Sequence, residues 1–396
     1  MEPVFVHWTA PTGQVQLAGR LTTLGPTGLQ RFSYDSSWLA GPGFTLGEGL
    51  PPESGGLLPP GGATDFGLFA DAGPDAWGRR VLSRKIEPPP RSSSEFLVAA
   101  ADLTRQGALR FSSDPAGPFL SDGGPEPVDG LRDLYSEVRD FQADRSSPGR
   151  FARLLRAATS QGGYRPKAAV VDGDGRLWIA KFPSETDTYD VETYEAAALQ
   201  VASEAGLQVP RFQHLRVDAD RAILLVERFD RTPKGRRGYQ SMRTATRLGP
   251  NEVIDYQLMA ATAGFHAGQR GVAAVVGLAA LNIAVNNIDD HSRNAGLIQD
   301  GNGRWAPAPV FDIVPYPREG EGTPLQAGHG ERSLEALLDL DWGIPAARVE
   351  QEVRRVATAA QHVFAVAVEK FGLDPEAGAN AERHRATVGA PPAHWR

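Results

Sequence analysis

Residues 286–296, NNIDDHSRNAG, crowd Asp289, Asp290, His291, Arg293 and Asn294 into one short stretch. Asp289 and Asn294 stand five positions apart, the offset between aspartate and asparagine in the kinase loop H-R-D-x-x-x-x-N. In a tight loop this spacing lets a carboxylate face an acceptor hydroxyl while an amide oxygen reaches a metal ion. Phosphoryl transfer asks for little covalent chemistry from protein. It needs a base or positioner, ligands for Mg2+ and a cation on the donor phosphates. Asp312, in PVFDIVP (309–315), lies at the end of a following hairpin, where a second metal-binding carboxylate belongs. Lys181, in LWIAKFP, is the candidate cation, and Glu192 and Glu195, in VETYE, are both available to hold it. Each motif is weak alone; their order along the chain is what carries weight.

The elements that must position these residues can be read in outline. Residues 167–182, KAAVVDGDGRLWIAKF, form two Val- and Ile-containing runs around an Asp-Gly turn, a hairpin signal. Apolar positions recur every three or four residues over 191–207, which predicts a helix ending near Gly206 and Pro210. Two strands follow, RFQHLRV (211–217) and RAILLVERF (221–229). After residue 250 the pattern is mostly helical, interrupted by the Asp289 loop and a hairpin over 295–311, with helical spacing again over 332–341 and 345–371. Upstream, VFVHW, QVQLAGRLTTL and LQRFSYD read as short strands, and PDAWGRRVLSRKI (74–86) as a helix. The Gly/Pro/Asp-rich stretch 112–130 is a candidate domain boundary. A β-rich piece with one helix, then a helical piece with a polar hairpin, is the order of a two-lobed kinase.

Other chemistries find less support. The chain has no cysteine, which removes disulfides, Cys-ligated zinc and thiol nucleophiles. His291 with Asp289 and Asp290 could bind metal in a hydrolase, but the other histidines lack H-E-x-x-H or paired spacing, so His291 reads as a loop-orienting residue. No G-x-S-x-G elbow and no G-x-x-x-x-G-K-[ST] loop occurs. A net charge of −7 without a basic block argues against direct nucleic-acid binding as the main activity. The most apolar run, 271–285, is shorter than the ~20 residues of a membrane crossing and carries Asn282, so a buried helix and a cytoplasmic protein are expected.

Taken together, SQGGYRPKAAV (160–170), IAKFPS (179–184), AGLQVP (205–210), VERFDR (226–231), IDDHSRN (288–294) and VFDIVPYP (310–317) resemble the HipA family, the kinase toxins of HipBA toxin–antitoxin modules. GRLTTLGPTGLQRFSYDSSWL (19–39) and DAGPDAWGRR (71–80) resemble that family's accessory region. The resemblance implies an α+β, two-lobed protein-kinase-like fold: a β-rich accessory subdomain over 1–145, a small-lobe core over 146–231 and a helical large lobe over 232–396. It implies a Ser/Thr kinase using ATP and Mg2+, with Asp289 catalytic, Asn294 and Asp312 holding metal, and Lys181 on the phosphates. Glu227 and Phe229 would sit at the hinge beside adenine. The loop bearing Gly162, Gly163 and Lys167 would cover the nucleotide, with Arg165 and His291 also near it, and Ser160 would be the autophosphorylation site. Thr159 precedes Ser160 and competes for that role, and SMRTATRLG (241–249) lacks the acidic and Gln residues often found after the hinge. Expected partners are a HipB-like helix-turn-helix antitoxin, DNA only through it, and a translation protein such as an aminoacyl-tRNA synthetase as substrate. A small-molecule kinase of the aminoglycoside or choline type, or a non-catalytic antitoxin-binding subunit, would share parts of this pattern.

Overall fold

The structure is a computed structural model that describes residues 2–25, 27–120, 123–144, 151–158, 164–218, 220–249, 251–318, 320–328, 331–389, 391–392 and 395. At the N-terminus, strands Val4–Thr9, Val15–Leu24 and Leu29–Tyr34 form an antiparallel meander, and Leu109–Ser112 returns to pair with the first. Val4, Val6 and Trp8 alternate onto one face, as a pleated strand requires, and pack with Phe32, Trp38, Phe66, Phe69 and Phe111. Trp8, Trp38 and Phe44 meet edge to face at 4.9–5.8 Å between centroids.

The small-lobe sheet runs Glu126–Pro127, Lys167–Val171, Leu177–Lys181, Ala222–Glu227, Phe212–Arg216. The hairpin read from the Asp-Gly turn is present, with Lys167 opposite Lys181. The Gly/Pro/Asp-rich stretch leads into this sheet, since Glu126–Pro127 pairs in parallel with Val170–Val171. The helix Leu131–Gln142 follows and buries Leu131, Leu134, Val138 and Phe141 against Ala168, Trp178 and Phe182; Trp77 and Val81 join the same core.

The helix Val191–Glu204 is capped by Asp190, whose side chain accepts from Thr193 N, and is followed by Gly206 at φ 73°. Almost every side of it is covered. Ala196 and Leu199 meet Leu224 and Val226 of the sheet, while Tyr194, Ala198, Val201 and Ala202 face the large lobe. A helix buried all round shows little amphipathic pattern, and this placement also buries Glu192 and Glu195.

In the large lobe the helical pattern after residue 250 forms one long helix, Tyr256–Ala284, bent at Gly268 and including most of the apolar run 271–285. Gly268 has φ 59° and ψ −152°, a conformation open essentially to glycine alone. This helix is long and apolar enough to cross a membrane, yet 72% of its most apolar window is buried inside the fold, as befits a core helix. It packs with Ala346–Ala360 and with Pro375–Val388, an additional helix, while Val363–Phe371, the second half of the helical spacing of 345–371, packs against Val191–Glu204. Strands Gly238–Ser241, Gly296–Gln299 and Trp305–Pro307 make a small sheet beside it, so the hairpin over 295–311 is present.

Between the lobes, residues 228–236 are tied to the accessory region. Arg228 donates to both oxygens of Asp230 at 2.8 and 2.6 Å and to Thr104 O at 3.0 Å. Arg231 and Gly107 N also donate to Asp230, at 2.9 and 2.7 Å. Arg236 reaches Asp102, whose carboxylate is already forked by Arg110.

Candidate active site

The strand position of Lys181 buries its ammonium, which would be costly without compensation. Compensation is complete. Lys181 Nζ donates to both oxygens of Glu195 at 2.6 and 2.7 Å and to Asp312 Oδ1 at 2.5 Å. Burial alone would depress the Lys181 ammonium; the Asp312 and Glu195 carboxylates outweigh it and hold its pKa above the usual lysine value. Burial likewise pushes Glu195 up against the pull of Lys181. For Asp312 the effect of burial is overcome by Lys181 and Lys167, which keep it well below the usual carboxylate range. Asp312 sits at φ 59°, uncommon for a residue with a side chain. Its N–H donates to Glu195 Oε1 at 3.2 Å while Lys181 takes its carboxylate, so the strained backbone is fixed from two sides.

The geometry therefore separates two glutamates that sequence left equivalent. Glu195 holds Lys181. Glu192 accepts from Arg165 at 2.9 Å, and Arg165 also forks onto Asp187 at 2.7 and 2.5 Å. Arg165 is thus committed to a small-lobe ion cluster rather than left free toward a nucleotide.

The Asp289 loop is braced from below. Asn286, at φ 57°, donates to the carbonyls of Tyr316 and Arg318 at 2.8 and 2.9 Å. Asn287 bonds Asn282 at 2.9 Å, and its Oδ1 accepts from Asp289 N at 3.2 Å. Asp290 is turned inward, accepting from Tyr256 Oη at 2.5 Å, Thr323 N at 2.6 Å and Arg332 at 2.8 Å. Asp289 faces outward instead, its side chain 64% exposed and 3.9 Å from His291 Nε2. Desolvation by its surroundings raises the Asp289 carboxyl, His291 opposes this, and the nearby Asp312 and Asp290 charges add to it. Asn294 Nδ2 donates to Asp289 O at 2.8 Å, and its amide oxygen takes no hydrogen bond among the described residues. Asp312 thus touches Lys181, Asn294 touches Asp289, and the Asp312 charge acts on Asp289.

Lys167 is buried opposite Lys181, and among the described residues no ion pair forms to it. Burial lowers its pKa, with Asp312, Asp75 and Glu195 opposing and Lys181 reinforcing. Phe229 packs on Phe311, next to Asp312, at 5.6 Å between centroids. Glu227 turns to Arg211, with Nη2–Oε1 at 2.7 Å. Thr159, Ser160, Gly162 and Gly163 lie outside the described residues.

Two accessory-region carboxylates were not singled out from sequence. Asp71 accepts from Ser241 N and Oγ at 2.7 and 2.9 Å and lies 3.5 Å from Arg293 of the Asp289 loop. Asp75 precedes the helix Ala76–Lys85, and its Oδ1 is buried with no hydrogen-bond partner among the described residues. Burial pushes its pKa up to about 7 against the opposing charge of Lys167. Both lie in DAGPDAWGRR, whose acidic spacing was the available signal.

Fold and cleft together define an α+β protein with a kinase-like body and a β-rich N-terminal region. The model of the HipA-like C-terminal domain matches residues 159–364, more than half of the chain, and the chain belongs to the HipA family. Among solved structures, the chain is similar over 98% of its length to a chain of the Shewanella oneidensis MR-1 toxin–antitoxin complex of HipA, HipB and operator DNA, with TM-score 0.69, 17% identity and 96% of that chain covered. A looser likeness, TM-score 0.45 and 10% identity, covers 56% of this chain and 90% of the Helicobacter pylori proinflammatory kinase CtkA. A search of curated proteins found no match.

Proposed function

We propose that this chain is an ATP-dependent protein kinase acting on Ser or Thr hydroxyls, the toxin partner of a HipB-like antitoxin. The observation that carries this reading is the convergence on Lys181 of Glu195 from a small-lobe helix and Asp312 from the large lobe, beside an outward-facing Asp289. In it, Lys181 steadies the donor phosphates, Glu195 holds Lys181 in place, and Asp289 orients the acceptor hydroxyl and takes up its proton. Phe229 lines the base-binding side of the cleft, and Glu227 marks the hinge strand.

The donor set suits Mg2+, which is usually held by one or two protein ligands together with substrate phosphates. Among the described residues no group of three or more His, Asp or Glu forms a ready-made metal cage, and a preformed cage is not what such a site requires. Asp312 offers an ionised carboxylate, and Asn294 an amide oxygen without a partner among the described residues. Bound there, Mg2+ would neutralise phosphate charge as it moves to the leaving group. The substrate is proposed to be a translation protein such as an aminoacyl-tRNA synthetase, with Ser160 or Thr159 modified by the kinase itself. DNA would be engaged only through the antitoxin.

Intact-mass spectrometry tests the reading. Purified protein with ATP and Mg2+, alone and with translation proteins, should gain phosphate or pass it to one of them, and phosphosite mapping should find Ser160 or Thr159. Phosphate appearing only on a small-molecule acceptor, or equally with Asp289→Asn protein, would overturn it.

A further inference from the structure

The apolar run 271–285 is broken by a single polar residue, Asn282, which is buried along with Ala279, Ala280, Leu281, Ile283 and Ala284. An amide placed there costs free energy unless it is hydrogen-bonded. Both of its ends are used: Nδ2 donates to Tyr256 Oη at 2.7 Å, and Oδ1 accepts from Asn287 Nδ2 at 2.9 Å. Tyr256 begins the same helix, 26 positions earlier, and a straight helix would hold the two roughly 39 Å apart at about 1.5 Å per residue. The bend at Gly268 therefore turns the chain back on itself, so that the two halves run side by side. Gly271 serves the same turn, since a side chain there would meet the Ala263 carbonyl.

The hydrogen bonds around Asn282 run in one direction and close on themselves. Asp289 N donates to Asn287 Oδ1 at 3.2 Å, Asn287 to Asn282 at 2.9 Å, Asn282 to Tyr256 Oη at 2.7 Å, and Tyr256 to Asp290 Oδ2 at 2.5 Å. Asp289 and Asp290 are neighbours in the chain, so the path ends one residue from where it began. Tyr256, Asn282, Asn287 and Asp290 are each at most 4% exposed. Thr323 N and Arg332 donate to the Asp290 carboxylate as well. Bonds aligned head to tail polarise one another, and this row ends on a carboxylate. Its members are satisfied by one another rather than by a ligand; what the ring fixes is a direction. With Asp290 drawn inward and the Asp289 amide tied to Asn287, the Asp289 side chain is left facing outward.

We infer that Tyr256, Asn282 and Asn287 are positioning residues for Asp289, and that the folded-back helix exists in part to close this ring beneath the loop. This rests on the kinase reading above. None of the three has to touch nucleotide or acceptor. They act through the Asp289 N–H and the Asp290 side chain, which together aim the carboxylate that orients the acceptor hydroxyl. A small error of aim is costly, because transfer needs the reacting atoms close and aligned. Lys181, Glu195 and Asp312 share no hydrogen bond with the ring among the described residues, so nucleotide binding and acceptor orientation are separable.

That separation sets the test. Full-length wild type, Tyr256→Phe, Asn282→Leu and the double variant are given ATP and Mg2+, with and without translation proteins, and phosphate transfer is followed by mass spectrometry against ATP concentration. Urea unfolding supplies the folded fraction of each. Either single change should lower the maximal rate per folded molecule about ten- to a hundredfold, while the half-saturating ATP concentration and the affinity for a non-hydrolysable ATP analogue stay at the wild-type level. Breaking one ring twice adds nothing, so the double variant should be no slower than the slower single variant. A merely structural role would lower stability and leave the rate per folded molecule unchanged. Asn287→Ala, which opens the ring beyond the helix, replaces a variant that does not fold. A wild-type rate per folded molecule, a parallel loss of nucleotide affinity, or strictly additive losses would overturn the inference alone. Transfer absent from wild type, or equal in Asp289→Asn protein, would overturn the kinase reading and the inference with it.

Discussion

Two buried networks of charge lie within this molecule, and they are built to different ends. At the junction of hinge and accessory region, Asp230 takes hydrogen bonds from Arg228, Arg231 and Gly107, and Asp102 takes them from Arg110 and Arg236. Burial raises the cost of each ionised carboxylate, but the arginines outweigh it and leave both below their usual range. Around Lys181, the Glu195 and Asp312 carboxylates are likewise met by protein groups, while Asp289 is exposed and Asp75 Oδ1 has no partner among the described residues. A structural network satisfies its members with protein groups. A site for a ligand leaves some of them to be satisfied by what binds. Burial and charge alone do not distinguish the two; the unfilled valences do.

The largest effects should separate along that line. Asp289→Asn should lower phosphoryl transfer by ~10²–10⁴-fold, the usual contribution of a positioned base, with little change in thermal unfolding because the side chain is exposed. Asp230→Asn should do the reverse. Arginines stripped of a buried partner typically cost ~3–5 kcal/mol, so unfolding in urea should shift while transfer per folded molecule stays near wild type. If Asp230→Asn instead lost transfer without losing stability, the junction would belong to the site and the contrast would fail.

How much of this was legible in the sequence follows from how local each feature is. Asp289 and Asn294 lie on one loop, and the strand–turn–strand around residues 172–175 is a local signal, so both could be read directly. The glutamate partner of Lys181 could not be chosen. Glu192 and Glu195 are three apart and share a helix face, and only the packing of that helix against sheet and large lobe sends one to Lys181 and the other to Arg165. Arg165, expected near the nucleotide from the family pattern, has its guanidinium taken by Asp187 and Glu192. Asp71 stands 170 residues before Ser241, the residue it meets, so no spacing rule connects them. The helix Leu131–Gln142 went unread in the shadow of the Gly/Pro/Asp-rich stretch before it.

The two glutamates offer a sharper, smaller test within one helix. Glu195→Gln removes a charge from Lys181 and should weaken nucleotide binding and turnover together, by roughly tenfold for one charge-assisted bond. Glu192→Gln should leave both nearly unchanged. Burial pushes Glu192 up to about 7 despite Arg165, so near neutral pH it already spends much of its time protonated, and Arg165 keeps its fork onto Asp187. ATP titration and steady-state turnover of the two variants decide between them. Equal losses would mean that the helix acts as a unit and that the Lys181–Glu195 contact has no special part.

The smallest effect concerns a half-buried titratable group that belongs to neither network. His214 Nε2 lies 2.7 Å from Thr193 Oγ1 on the helix that carries Glu195, and its ring packs on Phe371 at 5.1 Å. Burial, with Arg216 adding to it, lowers the His214 pKa to about 4. The unfolded chain, at ~6.5, therefore takes up the proton first. Stability contributed by the neutral ring is complete above ~6.5 and declines as the pH falls toward 4. Because a good part of the ring remains in solvent, the loss should be only on the order of 1 kcal/mol after discounting for screening. Urea unfolding from pH 7.5 down to pH 5, compared between wild type and His214→Gln, isolates it from other titrating groups. The wild-type curve should fall more steeply, and the two should converge at the acid end. Parallel curves would show that the ring gains its proton in the folded state as readily as in the unfolded chain. The environment of this helix would then be less dry than the closed Lys181–Glu195 contact requires.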